Sequence, residues 1–444
     1  MGGKWDRLAI ADAPIEIVDG DRGLNYPKLD DFAPVGHCLF LNTGNVTTIG
    51  FSFSDRSFVT KEKDDTLRKG KLERHDVVLT TRGTVGNAAF FDDSVPFEHV
   101  RINSGMVLLR ADQKKLFPRF LYLFVRSQDF KEQVVSLSTG SAQPQLPIRD
   151  IRRVKIPLPP LPQQKAIAHI LGTLDDKIEL NRRMNATLEA MARALFQSWF
   201  VDFDPVRAKL DGRKPVGLDE ETAALFLDKF QDSELGRIPE GWGVGQLASR
   251  IEILSGGTPK TSEPDYWDGD VPWFSVKDAP TETDVWVIQT EKSVTKRGIT
   301  NSAAQVFPEK TTIISARGTV GKLALTGTPM AMNQSCYGVR GINGYHDYFI
   351  YYLLRAATAQ LQQRTHGTVF DTITRQTFET LDCIFPPPEL TAAFDRAVEP
   401  LLETIRANLH QSRNLALIRD AMLPKLLNGE LSVAARPEEM GVVA

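Results

Sequence analysis

Cysteine is scarce in this chain, and what there is cannot staple it. Cys38, Cys336 and Cys383 are odd in number and far apart, which argues against a disulfide framework and against a Cys-x-x-Cys metal site. No apolar run approaches the roughly 18 residues needed to span a bilayer. The opening Met1-Gly-Gly-Lys-Trp-Asp-Arg7 also lacks the apolar stretch of a signal peptide. The expected address is a reducing cytoplasm, with no membrane contact. Positive charge is not in excess either. A net charge of −3 argues against a chain that coats DNA unaided. Basic groups must then gather on one face, or a partner must supply phosphate contacts. Motifs for cofactor chemistry are missing as well. There is no Asn-Pro-Pro-Tyr-type methyltransferase signature, and Gly318-Thr-Val-Gly-Lys322 is too short for a phosphate loop and runs into Leu323 where Ser or Thr should follow. His366 and Asp371 have no partner at catalytic spacing, and Asp265, Asp268 and Asp270 lack the glycine and glutamate of a calcium loop. The expectation is a non-catalytic chain that binds no metal and no cofactor.

What the chain has is a copy of itself. With 444 residues it exceeds one ordinary core, and internal similarity explains the length. Thr80-Thr-Arg82-Gly83-Thr84-Val85-Gly86 returns as Ser315-Ala-Arg317-Gly318-Thr319-Val320-Gly321; Arg119-Phe-Leu-Tyr-Leu-Phe124 returns as Tyr348-Phe-Ile-Tyr-Tyr-Leu353; Pro159-Pro160 returns as Pro386-Pro387. Each copy opens with short β-branched runs such as Val77–Thr81 and Thr312–Ser315, punctuated by Gly, Pro, Asn and Asp, the pattern of strands and turns. Leu116 to Val135 and Tyr348 to Gln363 each predict a single helix. The fold class is α+β.

Each copy closes with a long helix. Ile167, Leu171, Leu174, Ile178, Asn181, Asn185 and Leu188 recur at spacings of four and three. Phe394, Val398, Leu401, Ile405, Asn408, Ser412 and Leu415 repeat the rhythm, which marks a coiled-coil seam. Two seams in one chain pack most economically on each other, antiparallel, as a pseudo-two-fold strut between two similar globular domains. Asn181 and Asn408 should meet near the axis and fix the register; the alternative is a solvent-facing asparagine on each helix. About 38 helical residues at 1.5 Å rise would span roughly 57 Å, beyond one turn of B-DNA at about 34 Å. The expected boundaries are a first domain at 1–157, a central helix at 158–202, a connector at 203–240, a second domain at 241–388, a C-terminal helix at 389–430 and a tail at 431–444. The connector reads as charged, with one short helix around Glu221 to Phe230.

Taken together, these features resemble the specificity (S) subunit of type I restriction–modification systems. The resemblance covers nearly the whole chain. It is carried by Gly20-Asp-Arg-Gly-Leu-Asn-Tyr-Pro27, Ser255-Gly-Gly-Thr-Pro-Lys-Thr261, Ile156-Pro-Leu-Pro-Pro-Leu-Pro-Gln-Gln164, Asp175-Asp-Lys-Ile-Glu-Leu-Asn181, Ser198-Trp-Phe-Val-Asp-Phe-Asp-Pro205 and Ile238-Pro-Glu-Gly-Trp242. It implies two target recognition domains, each reading half of an asymmetric bipartite site in double-stranded DNA. It also implies two modification (M) methyltransferase subunits using S-adenosylmethionine, and two restriction (R) translocase–nuclease subunits using ATP and Mg. The Ser198–Pro205 segment would lie near the M-subunit contact, or else be buried against its own chain. A rival reading is a coiled-coil scaffold whose domains bind only proteins.

The candidate DNA contacts are led by the two Arg-Gly-Thr-Val-Gly loops. Glycine lets backbone approach phosphate, and Arg can bridge phosphates or read guanine bidentately. This selects Arg82, Thr84, Arg317, Thr319 and Lys322, against the alternative of tight turns with purely conformational roles. The glycine-rich loops add Arg22, Asn25, Tyr26 and Lys28 in one copy and Thr258 and Lys260 in the other, or are ordinary surface loops. Asn103 and Asn333 could read adenine or simply make turns. The basic run Arg68-Lys69-Gly-Lys71 reads first as a solvated face. Trp267, Trp273 and Trp286 read as core.

Overall fold

The computed structural model describes residues 5–137, 145–365, 372–431 and 433, with side chains described to residue 358 in the second stretch. His366 and Asp371 lie outside the described residues, as does nearly all of the tail. The chain forms two compact units, residues 1–177 with 414–444, and residues 178–413. The unit boundaries fall inside both long helices, Leu161–Phe200 and Pro388–Leu427.

The first unit is built on an antiparallel sheet in the order Ile15–Asp19, Met106–Ala111, Val77–Thr80, Ala88–Phe90. A smaller sheet holds Phe58–Val59, Cys38–Leu41 and Val100–Ile102, the last pair parallel. A ribbon of Arg7–Ala9 with Lys155–Pro157 ties the start of the domain to its end. Val77 to Thr80 are all buried, as expected for a continuous β-branched run packed on both faces. One of those faces meets Phe120, Leu121 and Phe124, together with Ile167 and Leu171 of the central helix and Leu426 and Leu427 of the C-terminal helix.

The helix predicted over Leu116 to Val135 is in fact two, Pro118–Arg126 and Gln128–Leu137. Ser127 separates them. Its hydroxyl donates to the Phe124 carbonyl at 2.6 Å and accepts from the Phe130 N–H at 3.2 Å. A serine that offers the backbone such bonds ends one helix and caps the next.

The second unit repeats this plan. Its five-stranded sheet runs Ile251–Ser255, Cys336–Gly341, Thr312–Ser315, Leu323–Thr326, Trp286–Val287. The first four are the sequence equivalents of the four strands above, in the same order. A three-stranded sheet centred on Trp267–Phe274 and a ribbon of Gly243–Gln246 with Asp382–Phe385 complete the correspondence. The predicted helix at 348–363 is a single one, Asp347–Thr365. Trp273 and Trp286 are buried, and Trp267 packs edge-on to Trp273.

The connector is more structured than its charge suggests. Residues 204–240 form helices Asp204–Leu210 and Glu220–Ala224 and a hairpin of Phe230–Ser233 with Gly236–Pro239. The single helix expected around Glu221 to Phe230 is therefore short and ends at Ala224. Phe226 drives this, burying its ring edge-on against Trp199. Trp199, Phe200 and Phe203 are buried with Trp242, Phe349 and Phe394. Of the two readings of Ser198–Pro205, burial against its own chain is what the structure has.

In the second unit the long helices run antiparallel: Asn185 meets Asn408, and Phe196 meets Phe394. Ile167, Leu171, Asn181, Phe394, Val398, Ile405 and Asn408 are buried; Leu174, Ile178, Leu188, Leu401 and Leu415 are half-buried. Leu402 takes the fully buried place expected of Leu401, its carbonyl accepting the Trp286 indole N–H at 2.8 Å. The polar pairing is offset by one turn. Asn408 Nδ2 donates to Asn185 Oδ1 at 3.0 Å, and Asn181 Nδ2 donates to Ser412 Oγ at 3.1 Å. Asn181 touches Asn408 only at its backbone carbonyl, 3.4 Å away. Positions 181 and 408 correspond in the repeat, as do 185 and 412, so the two contacts are copies of each other.

Asp395 links this helix to its domain by accepting the backbone N–H groups of Tyr348 and Phe349 at 3.1 and 2.8 Å. Burial pushes its carboxyl up to about 7, against the lowering effect of those N–H donors. The unfolded carboxyl releases its proton near pH 4, the folded one only near 7, so this group's contribution to stability fades as pH rises between those values. Asp395→Asn should flatten that decline. Urea melts at pH 5 and pH 8 should differ less for the variant by about 2–4 kcal/mol, and equal differences would reject the assignment.

Candidate nucleic-acid interface

Both Arg-Gly-Thr-Val-Gly loops are the turns of antiparallel hairpins, Val77–Thr80 with Ala88–Phe90 and Thr312–Ser315 with Leu323–Thr326. Gly83 and Gly318 have φ of 71° and 77°, a left-handed conformation that a side chain would oppose. Each loop is braced from inside by one hydroxyl. Thr80 Oγ1 donates to the Thr84 carbonyl and accepts from Asn87 N–H at 3.1 Å; Ser315 Oγ donates to the Thr319 carbonyl and accepts from Lys322 N–H at 2.8 Å. The side chains of Arg82, Thr84, Arg317, Thr319 and Lys322 are left exposed. Because a strand and not a helix follows Lys322, the loop cannot cradle a nucleotide as a phosphate loop does.

Asn103 and Asn333 stand beside these loops in equivalent turns. Each uses its side-chain carbonyl internally, accepting from Gly105 N–H at 2.9 Å and from Ser335 N–H at 3.1 Å. Asn103 Nδ2 and Asn333 Nδ2 have no partner among the described residues. The glycine-rich loops begin against the same turns: a Cβ on Gly20 would fall 2.4 Å from the Asn103 carbonyl oxygen, and one on Gly256 would fall 2.0 Å from that of Asn333. Three candidates from separate stretches of sequence thus converge twice, once in each unit.

The outer parts of the glycine-rich loops are more occupied. Arg22 pairs with Asp19 at 3.1 Å, Asn25 Nδ2 donates to the Thr66 carbonyl at 3.3 Å, and the Tyr26 ring packs edge-on to Phe40. Thr258 donates to Gln334, and the Lys260 carbonyl accepts the Trp267 indole N–H at 3.1 Å. Lys28 and Lys260 project as exposed side chains.

Sequence reading passed over one further element. The strands Cys38–Leu41 and Trp267–Phe274 end in short 3-10 turns, Thr43–Asn45 and Val276–Asp278, capped by Asn42 and Ser275. They place Thr43 beside Arg82 and Gly105, where a Cβ on Gly105 would meet Thr43 Cγ2 at 2.9 Å and Arg82 Cβ at 3.8 Å. In the second unit Lys277 joins Arg317, Asn333, Ser335, Glu291 and Lys292 around an open groove of about 310 Å³. The signal was present as the paired strings Asn42-Thr-Gly-Asn45 and Ser275-Val-Lys-Asp278, each with a cap and a partner three residues on. Among the described residues no cluster of His, Cys, Asp and Glu could hold a metal, and no helix is long and apolar enough to cross a membrane.

Two exposed arginines on braced hairpin turns, each beside an asparagine amide, form a duplicated surface suited to phosphate and base edges. The family described as Type I restriction modification DNA specificity domain matches residues 19–190 and 239–391, one match over each copy of this surface. The chain belongs to that family. Among its relatives is the type I restriction enzyme HindI specificity subunit of Haemophilus influenzae, 27% identical, with 93% of this chain and 98% of the relative aligned. The MjaIX specificity subunit of Methanocaldococcus jannaschii is 28% identical over 80% of this chain and 78% of its own length. The S subunit of a type I system from M. genitalium shares the fold, with a TM-score of 0.57 at 15% identity over 95% of this chain and 96% of that one. As a member of the specificity family, this chain has two DNA specificity domains with a long helix between them in sequence.

Proposed function

We propose that this specificity subunit reads a split, asymmetric duplex site, one half with each α+β domain, and hands the DNA to catalytic partners. The observation that carries this is the duplication of the Arg–Asn surface, Arg82 with Asn103 and Arg317 with Asn333. Two similar but non-identical readers suit two different half-sites. The net charge of −3 fits a chain whose partners share the phosphate contacts. Those partners are two modification subunits, which bring S-adenosylmethionine for adenine methylation, and two restriction subunits, which bring ATP and Mg. The chain itself supplies no acid, base or nucleophile, and its place is the cytoplasm. The long helices, with polar contacts in register at their seam, set the number of base pairs between half-sites and dock the modification subunits.

Mapping methylated adenine across the host genome, with and without this gene, would define the site. Exchanging residues 1–157 for those of a relative should change one half-site and leave the other intact. A swap that altered both halves would reject independent reading, and a methylome indifferent to the gene would reject the function.

A further inference from the structure

Leu24 is the most exposed large apolar residue among the described residues, fully open at 101% relative accessibility. It is not on a loose strand of chain. On one side, the Asp21 carboxylate accepts the backbone N–H groups of Arg68 and Lys69, and Gly20 lies against Asn103. On the other, Asn25 binds the Thr66 carbonyl, Tyr26 packs on Phe40, and Pro27 is buried. Tyr26 N–H closes a turn onto the Gly23 carbonyl at 3.1 Å, with Gly23 at a φ of 134°. A pinned turn therefore holds an isobutyl side chain in the open.

Its surroundings select the partner. Lys28, Arg68 and Lys69 are exposed on the segments that hold the turn, Arg22 is paired with Asp19, and the side chains of Arg68 and Lys69 form no ion pair among the described residues. The base of the turn is the Asn103 element, next to Arg82. An apolar tip flanked by the unpaired cations of Arg68 and Lys69 and adjoining the proposed duplex-reading surface fits a wedge between base pairs, which unstacks a step and bends the helix by tens of degrees. DNA is the occupant because the base of the turn abuts the Asn103 turn, which carries the proposed duplex contacts. The equivalent turn of the second unit is different: it carries Thr258, Pro259 and Lys260, with Pro259 buried and Thr258 bonded to Gln334.

We infer that Leu24 inserts at a base step in the half-site read by the first domain, distorting that half alone. The inference rests on the proposed DNA reading and adds an asymmetric deformation to it. The test uses the complex of this chain with its modification subunits and duplexes carrying the mapped site. 2-Aminopurine is scanned through both half-sites, apart from the adenine that is methylated. Fluorescence should rise several-fold at one step of the first half-site on binding. The rise should vanish in Leu24→Ala, persist in Leu24→Phe, and have no counterpart in the second half-site.

Selective binding with flat fluorescence, or a rise unchanged in Leu24→Ala, would overturn the wedge while leaving the DNA reading intact. Loss of co-purifying modification subunits from Leu24→Ala, with the fluorescence unchanged, would make Leu24 a protein contact and overturn it equally. No selective binding by the unaltered complex would overturn both.

Discussion

Asp64→Ala should destabilise the first unit by about 3–5 kcal/mol, the usual result of leaving a buried charge without its partner. Arg101 is 5% exposed and its guanidinium bonds the Asp64 carboxylate, which is fully buried and also takes Lys71 at 2.6 Å. Asp64 stays ionised because Lys71 and Arg101 hold its carboxyl below the ordinary range, overcoming the burial that would raise it. Arg101 also donates to the carbonyls of Asp64, Leu67 and Lys69 at 2.8–3.0 Å. It therefore clamps the segment to which Asp21 and Asn25 are tied. Removing Asp64 strands Arg101 and loosens the segment that supports the Leu24 turn. Urea titration should show the lost stability, and reading of the first half-site should weaken before that of the second. Arg101→Met, which removes the cation and keeps its bulk, leaves Asp64 with Lys71 and should cost less than Arg101→Ala. A change under about 1 kcal/mol for Asp64→Ala would mean that the cluster is hydrated and not a structural clamp.

The duplicated plan was legible because its signals were local and occurred twice. Val77–Thr80 and Thr312–Ser315 are short apolar runs between turn residues, and they occupy the same position in both sheets. The four–three spacing in the long helices likewise repeats. What failed to read correctly depended on one residue acting against its neighbours or on distant packing. Ser127 interrupts an otherwise helical run because its hydroxyl outcompetes helix continuation, and an apolar period does not record that. The connector reads as charged because its apolar residues, Phe226, Phe230 and Ile238 among them, fall between charged ones without a regular period. They fold because Trp199 receives Phe226, Phe203 receives Phe230 and Ile238 joins the same core, which only the tertiary structure brings about. Leu401 and Leu402 are adjacent, so the choice of seam residue needed the Trp286 contact to decide it.

The site was legible as a set of residue types and not as an assembly. Arg82 and Arg317 stand out through a repeated string. That Asn103 lies beside one and Asn333 beside the other follows from strand order, in which Met106–Ala111 and Cys336–Gly341 pair next to the hairpins that carry the arginines. Lys292 has no repeat signature of its own and becomes visible only as a wall of the groove at Arg317.

Arg82→Ala and Arg317→Ala should each weaken one half-site by about 1–3 kcal/mol, roughly 5- to 150-fold in affinity. Neither side chain forms an ion pair among the described residues, and both loops are held by backbone and hydroxyl bonds that alanine leaves in place. The loss is therefore a contact effect, and melting behaviour should be unchanged. The form of the loss tells which atoms each arginine meets. If Arg317 reads a guanine, the variant should lose discrimination at one base pair of its half-site and keep the salt dependence of binding. If it bridges phosphates, affinity should fall uniformly across sequences and the slope of log K against log salt should drop by about one. The groove favours base contact for Arg317, since the polar side chains of Asn333 and Ser335 converge there and Glu291, which accepts from a cytosine amine, offsets part of the positive charge of Lys277 and Lys292. Arg82 has Thr43 beside it, a short hydroxyl that suits phosphate. The expected results are relaxed specificity from Arg317→Ala and a lower salt slope from Arg82→Ala. Full affinity and an unaltered methylation pattern in both variants would remove these loops from the interface.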